Sequence, residues 1–508
     1  MSKIKYNLVA NYVGQFWCAV MGLAFIPYYI DYLGMEAYGL IGFFAMMQAW
    51  LVLLDMGMTP TLNREMARYT SGVHGVQYIK DLLKTLKVIY LAISVFIIIS
   101  MWFASNYFAS GWFKLEKLTV DVVSQAIIIM AIVIALRLIE GLYRSSLLGL
   151  QRQVWFNIIN TALTTLRHAG AFAILVWVSP TIEAFFLWQG FVSVLSVFIL
   201  AISVNQILPK TTIKSKFSRE ALSSVWKFAG GMMIFTVFAI ILTQVDKLLL
   251  SKFLTLEMFG YYTLSATVAA VLYMAIGPIT QAIYPRMVEL SSSENVVDLT
   301  LLYHKGAQLV TIVTAPIGLL LAFYADGVIF MWSGNQSLAE NTAPILSVLA
   351  LGNFLGGLRW MPHDCQLSHG WTSLTVKSNM AAVIVFVPSI FIIYPLYGVI
   401  GVAWLWVALN IGHGIFEIHF MHKRLISTEK WSWLYRDVFL PSVGTIGVML
   451  LAQLLQPENY QDRWYWFVFL LITGCSAILV SSIFSDKIRP MLILRMQTYF
   501  IGSARKST

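Results

Sequence analysis

Four basic side chains lie inside long apolar stretches of this sequence, where a charge is costly. They are Arg137, Arg167, Lys247 and Arg359. A charge near the centre of a lipid-spanning helix costs about 2.5 to 3.5 kcal/mol on insertion scales, so such residues are often functional. Guanidinium and ammonium groups bind phosphate oxygens through charge-assisted hydrogen bonds. We therefore predict that these four residues form a cationic cavity for an anion such as a phosphate or pyrophosphate.

These charges also have structural interpretations. Arg137 and Glu140 are three residues apart, so on one helix they could simply neutralise each other. Arg167 lies nearest the middle of its apolar stretch and has no acidic neighbour in the sequence. It is therefore the strongest single candidate for binding an anionic group.

The segment 242-LTQVDKLLLSKFL-254 places Asp246 and Lys247 side by side near the end of an apolar stretch. Adjacent side chains on an α-helix diverge by about 100°, so the two cannot face one partner equally. Either one faces a cavity while the other pairs across helices, or both belong to a structural ion pair near the outer end of the helix. Gln244 and Asp246 are candidates for polar or coupling residues of the predicted cavity.

Two apolar stretches carry polar residues at helical spacing. In the stretch 7–30 the polar stripe consists of Asn7, Asn11 and Gln15. In the stretch 154–178 it consists of Asn157, Asn160, Thr161, Thr164 and His168. A polar helix face within lipid needs a protein or water partner. The stripes either hold helices together or line a wet cavity, and in the second case Asn11, Gln15, Asn160 and His168 are the candidate lining residues.

The composition requires helices that cross a membrane. Hydrophobic residues make up 59% of the chain and charged residues 11%, whereas soluble domains carry about 25% charged residues. Apolar stretches of about 20 residues, long enough to cross about 30 Å of hydrocarbon, recur along the whole chain and predict about fourteen transmembrane helices. The expected fold class is an all-α integral membrane protein.

The basic residues predict the orientation of these helices. With both termini in the cytoplasm, 26 of the 34 Lys and Arg residues fall in cytoplasmic segments, in agreement with the positive-inside rule. The net charge of +10 then reflects topology and contact with anionic lipids, so we expect no nucleic-acid partner. Asp55 and Arg64 lie near cytoplasmic helix ends and are candidates for a gate.

A short internal repeat divides the chain. The segments 33-LGMEAYGLIGFFA-45 and 254-LTLEMFGYYTLSA-266 share Leu, Glu, Gly and Ala at a constant offset of 221 residues. The offset separates two blocks of six predicted helices, which predicts two parallel six-helix lobes around a central cavity with substrate at their interface. The predicted parts are an N-terminal lobe (1–206), a cytoplasmic linker (207–227), a C-terminal lobe (228–421), two additional helices (437–484) and a cytoplasmic tail (485–508).

Sequence patterns of catalysis are missing. The chain contains no GxxxxGK[ST], HExxH or GxSxG pattern. Cys18, Cys365 and Cys475 have no spacing typical of a metal site or a disulfide framework. We expect no enzymatic activity, no cofactor and no metal ion.

Four segments together carry a family resemblance. They are 11-NYVGQFWCAVMGLAFIPYYIDYLGMEAYGLIGFFA-45, 54-LDMGMTPTLNREMARY-69, 244-QVDKLLLSKFLTLEMFGYYTLSA-266 and 369-HGWTSLTVKSN-379. In this order they resemble bacterial polysaccharide or O-antigen flippases of the Wzx type, in the multidrug/oligosaccharidyl-lipid/polysaccharide (MOP) superfamily. By this resemblance, Asp246 and Lys247 correspond to an Asp followed by a basic residue near the end of the family's seventh helix, and residues 59–65 correspond to its TPTLNRE-like stretch.

The resemblance implies a function, a location and partners. The protein would move an undecaprenyl-pyrophosphate-linked oligosaccharide, such as an O-antigen, capsule or exopolysaccharide repeat unit, from the inner to the outer leaflet of the bacterial cytoplasmic membrane by alternating access. Its partners would be the lipid-linked oligosaccharide, membrane lipids and other polysaccharide assembly proteins such as a polymerase or a chain-length regulator.

Two alternatives remain open at this point. A cation-coupled multidrug exporter of the same superfamily generally needs an acidic residue in its first helix, and residues 1–30 contain none. A membrane-embedded polysaccharide polymerase or ligase is the other alternative. Such enzymes often carry catalytic groups on a large outer loop, and the predicted outer loops are short.

Overall fold

The computed structural model describes residues 3–209, 214–457 and 462–490, without the side chains of residues 3–10, 220–221 and 224–235. The side chain of Asn7 and parts of the predicted linker 207–227 and tail 485–508 therefore lie outside the described residues. The elements of the described chain are all helical, with no strand among them. This confirms the predicted all-α fold class.

The chain divides into two compact units, Met1–Gly260 and Tyr261–Thr508. The helices of the first unit are α1 (Lys3–Ala24), α2 (Ile26–Leu33), α3 (Met35–Asp55), α4 (Met58–Thr70), α5 (Val76–Tyr107), α6 (Val120–Gly149), α7 (Gln153–Trp177), α8 (Ile182–Ile207) and α9 (Arg219–Phe253). A π-helix, Phe108–Trp112, follows α5. The lobe boundaries predicted from the sequence remain a prediction.

The helix α10 (Leu256–Ala269) contains the boundary between the units. The second unit continues with α11 (Val271–Ser292), α12 (Val296–Phe323), α13 (Ala325–Ser333), α14 (Gln336–Leu358), α15 (Trp360–Ser368), α16 (Ser373–Leu425), α17 (Lys430–Ser432), α18 (Leu440–Ala452) and α19 (Arg463–Ile483). A π-helix, Trp433–Phe439, precedes α18, and a 3-10 turn, Gln453–Leu455, follows it.

Eleven helical stretches of the described chain are long and apolar enough to cross a membrane. One of them, α16, has 53 residues and is broken at Gly398, where φ is 62° and ψ is −152°. The rings of Phe386 and Trp406, on opposite sides of the break, are 6.4 Å apart. The helix α16 is therefore a hairpin of two antiparallel arms. The helices α7 and α9, with 25 and 35 residues, are long but are not among the eleven, and the number fourteen stays a prediction.

The helix α6 is the centre of the first unit. It packs against α5 and α8, while α1 packs along α7. Most residues of α6 that face its neighbours are apolar and fully buried, such as Ile127, Met130 and Val133. Ser94 of α5 donates a hydrogen bond to the carbonyl oxygen of Ala135 at 3.2 Å. The charged residues of α6 are thus exceptions on an otherwise apolar helix.

The two copies of the sequence repeat pack against each other within the first unit. A Cβ atom at Gly39 would lie 2.2 Å from the carbonyl oxygen of Leu256, and one at Gly260 would lie 2.7 Å from the carbonyl oxygen of Met35. The two contacts are related by the same offset of 221 residues. Because any other residue would collide with the facing backbone, both glycines are required for this close approach.

The glutamates of the repeat hold one loop from two sides. The carboxylate of Glu36 accepts hydrogen bonds from the backbone N–H groups of Glu116, Lys117 and Leu118 at 2.7, 2.8 and 3.0 Å. The Nζ atom of Lys117 lies 3.0 Å from Oε2 of Glu257. Both acidic positions of the repeat therefore fix residues 116–118.

The helix α12 is the centre of the second unit and packs against α11, α14, α18 and α19. A buried polar network joins α12 to the segments around α18. His304 pairs with Asp437 and lies 3.1 Å from Glu429, and the Gln308 amide donates a hydrogen bond to Asp437 at 2.8 Å. These bonds fix the C-terminal helices to the body of this unit.

Gly398→Ala should destabilise the protein. Backbone angles of this kind are essentially restricted to glycine, and another residue held there costs about 1 to 3 kcal/mol. We expect a lower midpoint temperature of unfolding for the detergent-solubilised variant. Gly22→Ala is a matched control because Gly22 lies within α1 and a Cβ there meets no atom within 4 Å. Equal midpoints for Gly398→Ala and the wild type would contradict the glycine requirement at the break.

Candidate functional site

Arg137 of α6 lies in the interior of the first unit among groups from two other helices. Its guanidinium donates hydrogen bonds to the side-chain oxygens of Gln48 on α3 and Gln189 on α8, the second at 3.2 Å. Its Cζ atom lies 5.2 Å from the centre of the Phe44 ring, within the range of a cation–π contact. These partners are all neutral, so they hold the guanidinium without cancelling its charge.

Arg167 of α7 is paired with Glu140 of α6. The Nη2 and Oε2 atoms are 3.4 Å apart, and both side chains are mostly buried. The acidic residue near Arg137 in the sequence is thus the partner of Arg167 in the structure. Two guanidinium groups and one carboxylate leave this group with a net charge of +1. We call Arg137, Glu140 and Arg167, with Gln48 and Gln189, the arginine cluster.

The arginine cluster has hydrogen-bond donors to spare. The Nε atoms of Arg137 and Arg167 are buried and have no hydrogen-bond partner in the part of the chain that the structure describes. A buried donor left without a partner costs about 1 to 3 kcal/mol. A water molecule or the oxygen of a bound anion would remove this cost. The cluster is therefore equipped to bind an anionic group.

The two polar stripes predicted from the sequence meet along the contact between α1 and α7. Asn11 bonds to Gln153 at 3.3 Å and accepts a hydrogen bond from Asn157. Asn160 donates a hydrogen bond to Cys18 at 3.2 Å. This pairing is the geometry expected of polar groups that hold helices together. Gln15 of the same stripe is exposed.

His168 follows Arg167 in α7 and is held by α2. The hydroxyl of Tyr29 donates a hydrogen bond to the carbonyl oxygen of His168 at 3.0 Å and lies 3.3 Å from its ring atom Nδ1. The indole N–H of Trp17 donates a hydrogen bond to Thr165 at 2.8 Å, one turn before this point. These contacts fix the part of α7 that carries Arg167.

The gate candidate Asp55 is the last residue of α3, and the candidate Arg64 lies in the middle of α4. Asp55 accepts a hydrogen bond from the backbone N–H of Thr59 at 3.2 Å, and the hydroxyl groups of Thr59 and Tyr90 also donate to it. Asp55 therefore satisfies one backbone donor in the first turn of α4, whose N-cap residue is Gly57. Arg64 forms an ion pair with Glu65 at 2.7 Å, and its own side chain is 43% exposed.

The adjacent residues Asp246 and Lys247 lie in the second half of α9. Asp246 is buried, whereas Lys247 and Gln244 are half-buried. The Nζ atom of Lys247 donates a hydrogen bond to the carbonyl oxygen of Thr243, one turn back, at 2.9 Å. Lys247 thus bonds to its own helix in this structure.

Arg359 belongs to the second unit and has its own counter-ion. It lies between α14 and α15 and forms an ion pair with the buried carboxylate of Glu417 on α16. Glu417 also accepts a hydrogen bond from Thr375 at 3.2 Å and lies 3.7 Å from the His363 ring. The Nε atom of Arg359, like those of the arginine cluster, is buried without a partner among the described residues.

The predicted cationic residues are therefore only partly brought together. Arg137 and Arg167 share one cluster, and Arg359 lies in the other unit with a separate carboxylate. Sequence analysis missed Gln48 and Gln189 as ligands of Arg137, since a single glutamine in an apolar helix gives only a weak signal. It noted Glu36 and Glu257 as repeated residues, but their spacing did not indicate the loop that they hold.

Comparisons with known proteins agree with this helical architecture. The family described as "Polysaccharide biosynthesis protein" matches residues 32–339. A Shigella flexneri protein with the name "Putative O-antigen transporter" is 22% identical over 413 residues, which is 80% of this chain and 94% of that protein.

Solved structures of transporters have the same fold. The lipid II flippase MurJ in its inward closed conformation aligns with a TM-score of 0.71 at 15% identity, over 94% of this chain and 98% of its own. A multidrug resistance transporter of the MATE family, MOP superfamily, in its inward-facing conformation aligns with a TM-score of 0.66 at 14% identity, over 82% of this chain and 96% of its own. The fold is thus that of MOP superfamily transporters.

Glu65 is the centre of a charged group that lies outside the eleven candidate membrane spans. Arg64, Arg68 and His74 lie 2.7, 3.5 and 2.6 Å from its carboxylate oxygens. Burial works to raise the pKa of Glu65. The hydrogen bonds from Arg64 and His74, together with the charges of the two arginines, outweigh burial and hold the pKa of Glu65 below its ordinary value.

Glu65→Gln should destabilise the protein at neutral pH and much less in acid. A carboxylate with a lowered pKa contributes stability above its ordinary pKa of 4.5 and loses that contribution as the pH falls through the lowered value. The midpoint temperatures of variant and wild type, measured against pH, should differ at pH 7 and converge in acid. Glu294→Gln, at an exposed position, is the control. A difference for Glu65→Gln that does not change with pH would refute the assignment.

Proposed function

Because this chain belongs to the polysaccharide biosynthesis protein family, we propose that it is a flippase for a lipid-linked oligosaccharide. It moves an undecaprenyl-pyrophosphate-linked repeat unit from the inner to the outer leaflet of the bacterial cytoplasmic membrane. The observation that carries the proposal is the arginine cluster, which keeps a net positive charge and spare donors inside a transporter fold.

The chemistry of the substrate explains why such a cluster is needed. Sugar hydroxyls and phosphates lose their hydration in hydrocarbon, and each unsatisfied polar group costs several kcal/mol. Arg137 and Arg167 supply charge and N–H donors for the pyrophosphate, and Lys247 and Arg359 are the further candidates. Trp17 and Trp50 are candidates for sugar contacts. The indole N–H of Trp50 is buried with no hydrogen-bond partner among the described residues, so it has a donor available.

The direction of transport follows from the charge of the substrate. With the termini in the cytoplasm, as the basic residues predict, the head group enters from the inside. Moving an anion outward across an inside-negative membrane releases about 2.3 kcal/mol per charge per 100 mV. The membrane potential alone can therefore bias transport, with the two lobes alternating between inward-open and outward-open states.

The alternatives are weaker on specific grounds. A multidrug exporter shares the fold, but residues 1–30 contain no acidic side chain for cation coupling. A polymerase or ligase would need catalytic groups. The arginine cluster consists of arginine, glutamine and glutamate side chains, which suit binding of an anion rather than nucleophilic attack. We therefore retain transport of an anionic lipid-linked sugar as the function that the site supports best.

Arg167→Ala should impair transport while leaving the protein inserted in the membrane. Loss of a hydrogen bond to a charged group costs about 1.5 to 3 kcal/mol, which corresponds to about tenfold or more in flux at limiting substrate. Flux is measured as surface polysaccharide formed per membrane-inserted protein in a deletion strain. Normal flux in this variant would exclude Arg167 from substrate binding.

The double variant Arg167→Ala, Glu140→Ala separates two explanations of such a loss. If Arg167 serves only to neutralise Glu140, removal of both charges should restore flux, since no uncompensated buried carboxylate remains. If Arg167 binds the pyrophosphate, flux should stay low in the double variant.

Deletion of the gene in its host should trap completed repeat units on the cytoplasmic face and abolish the surface polysaccharide. The measurement is the leaflet distribution of lipid-linked sugar, determined by accessibility to an impermeant sugar-modifying reagent. Accumulation of single units on the outer face would mean that translocation proceeds without this protein. The polymerase or ligase interpretation would then replace the flippase.

A further inference from the structure

A long groove separates the two arms of α16. It has a volume of about 640 Å³ and is lined mainly by apolar side chains of both arms. Small residues such as Ala381 on one arm and Gly412 on the other leave the space open. The lining runs from Ser373 to Ser389 along the first arm, which at 1.5 Å per residue is about 24 Å, most of the hydrocarbon thickness.

The groove opens towards the outside of the second unit. Val385 and Phe416, on its two edges, are 65% and 64% exposed. In an α16 that spans the membrane, these edges face hydrocarbon, so the groove is accessible to lipid chains. An apolar occupant would be packed on both sides by the arms, and its gain within the membrane would come from van der Waals contacts.

Two basic residues, Lys377 and Arg424, lie at one end of the groove. Lys377 is exposed on its wall and has no hydrogen-bond or ion-pair partner among the described residues. The guanidinium of Arg424 lies 4.3 Å above the centre of the Trp371 ring, which also lines this end. The positive-inside rule places both basic residues at the cytoplasmic surface. The groove thus combines an apolar channel with a cationic entrance, complementary to a lipid with an anionic head group.

The groove is continuous with the Arg359 site. Glu417 lines the groove and is the counter-ion of Arg359. Thr375, which donates to Glu417, precedes Lys377 by two residues on the same arm. A phosphate held at Lys377 would therefore share the groove with the carboxylate that pairs with Arg359.

We propose that the groove between the arms of α16 binds the head-proximal part of the isoprenoid chain of the carrier lipid, with its phosphate at Lys377. This inference rests on the proposed function and names where the carrier lies during transport. The groove is a single slot and takes one chain, whereas a phospholipid carries two chains joined at one head group. The single-chain polyprenyl phosphates match both the slot and the cationic entrance.

Binding of undecaprenyl phosphate to the full-length protein in lipid nanodiscs tests the proposal. A Cβ at Gly412 meets no atom within 4 Å, so Gly412→Leu extends into the groove without a clash. It should displace part of the lipid chain from its packing contacts in the groove and weaken binding about tenfold. Gly447→Leu is the matched control, since Gly447 is helical, equally open and outside the groove lining. This control should bind like the wild type.

Lys377→Gln tests the head-group end without any change in packing. It should weaken undecaprenyl phosphate binding about tenfold, because a charge-assisted hydrogen bond is lost, and leave binding of the uncharged undecaprenol unchanged. Dioleoyl phosphatidylglycerol is the competing two-chain lipid. If Gly412→Leu weakens phosphatidylglycerol as much as undecaprenyl phosphate, the groove is a general lipid contact and the proposal fails.

The outcomes separate this proposal from the proposed function. If deletion of the gene traps repeat units inside while Gly412→Leu and Lys377→Gln bind undecaprenyl phosphate like the wild type, the flippase stands and the groove is refuted. If both variants lose binding but deletion traps nothing on the cytoplasmic face, the groove stands as a binding site for the carrier lipid and the flippase function is refuted.

Discussion

An ionised side chain within a membrane-length helix must find its partner inside the protein, because hydrocarbon supplies neither counter-charge nor hydrogen bonds. The three arginines of the predicted cationic cavity obey this constraint with partners on other helices. The pairs are Arg137 with Gln48 and Gln189, Arg167 with Glu140, and Arg359 with Glu417. The same bonds that satisfy these guanidinium groups therefore also join neighbouring helices. Each of these arginines therefore also holds two helices together.

The internal repeat shows a second constraint, imposed by the backbone. Gly39 and Gly260 allow two helices to approach until each glycine faces a carbonyl oxygen of the other copy. Glu36 and Glu257 then fix one shared loop at residues 116–118. Among the residues that the repeat retains, Gly39 and Gly260 leave no space for a Cβ, and Glu36 and Glu257 both contact residues 116–118. The similarity between the two repeat segments therefore reflects a contact between them. That contact involves glycines, which have no Cβ atom, and glutamate carboxylates.

Sequence patterns predicted the helical membrane fold, the positions of the buried charges and the two polar stripes, because these depend on residue type and local spacing. They could not predict pairing between helices. Glu140 is three residues from Arg137, yet it pairs with Arg167 of the next helix, and only the packing of α6 against α7 decides between the two. Asp55 illustrates the same limit. It accepts hydrogen bonds from Thr59, four residues along the chain, and from Tyr90 of α5. Local spacing does not indicate the second partner.

The pairing of the arginines has a consequence for how an anion could be carried. A bare guanidinium in the interior would bind a phosphate too strongly to release it, and would be costly when the site is empty. Under the proposed function, an arginine that already holds a carboxylate would avoid both problems, because an arriving phosphate would replace Glu140 or Glu417 as the counter-ion and a departing one would return the arginine to it. Binding is then an exchange between two anions of similar strength. In that proposal the net charge of +1 in the arginine cluster would favour binding of the anionic substrate, and the internal carboxylate would allow its release.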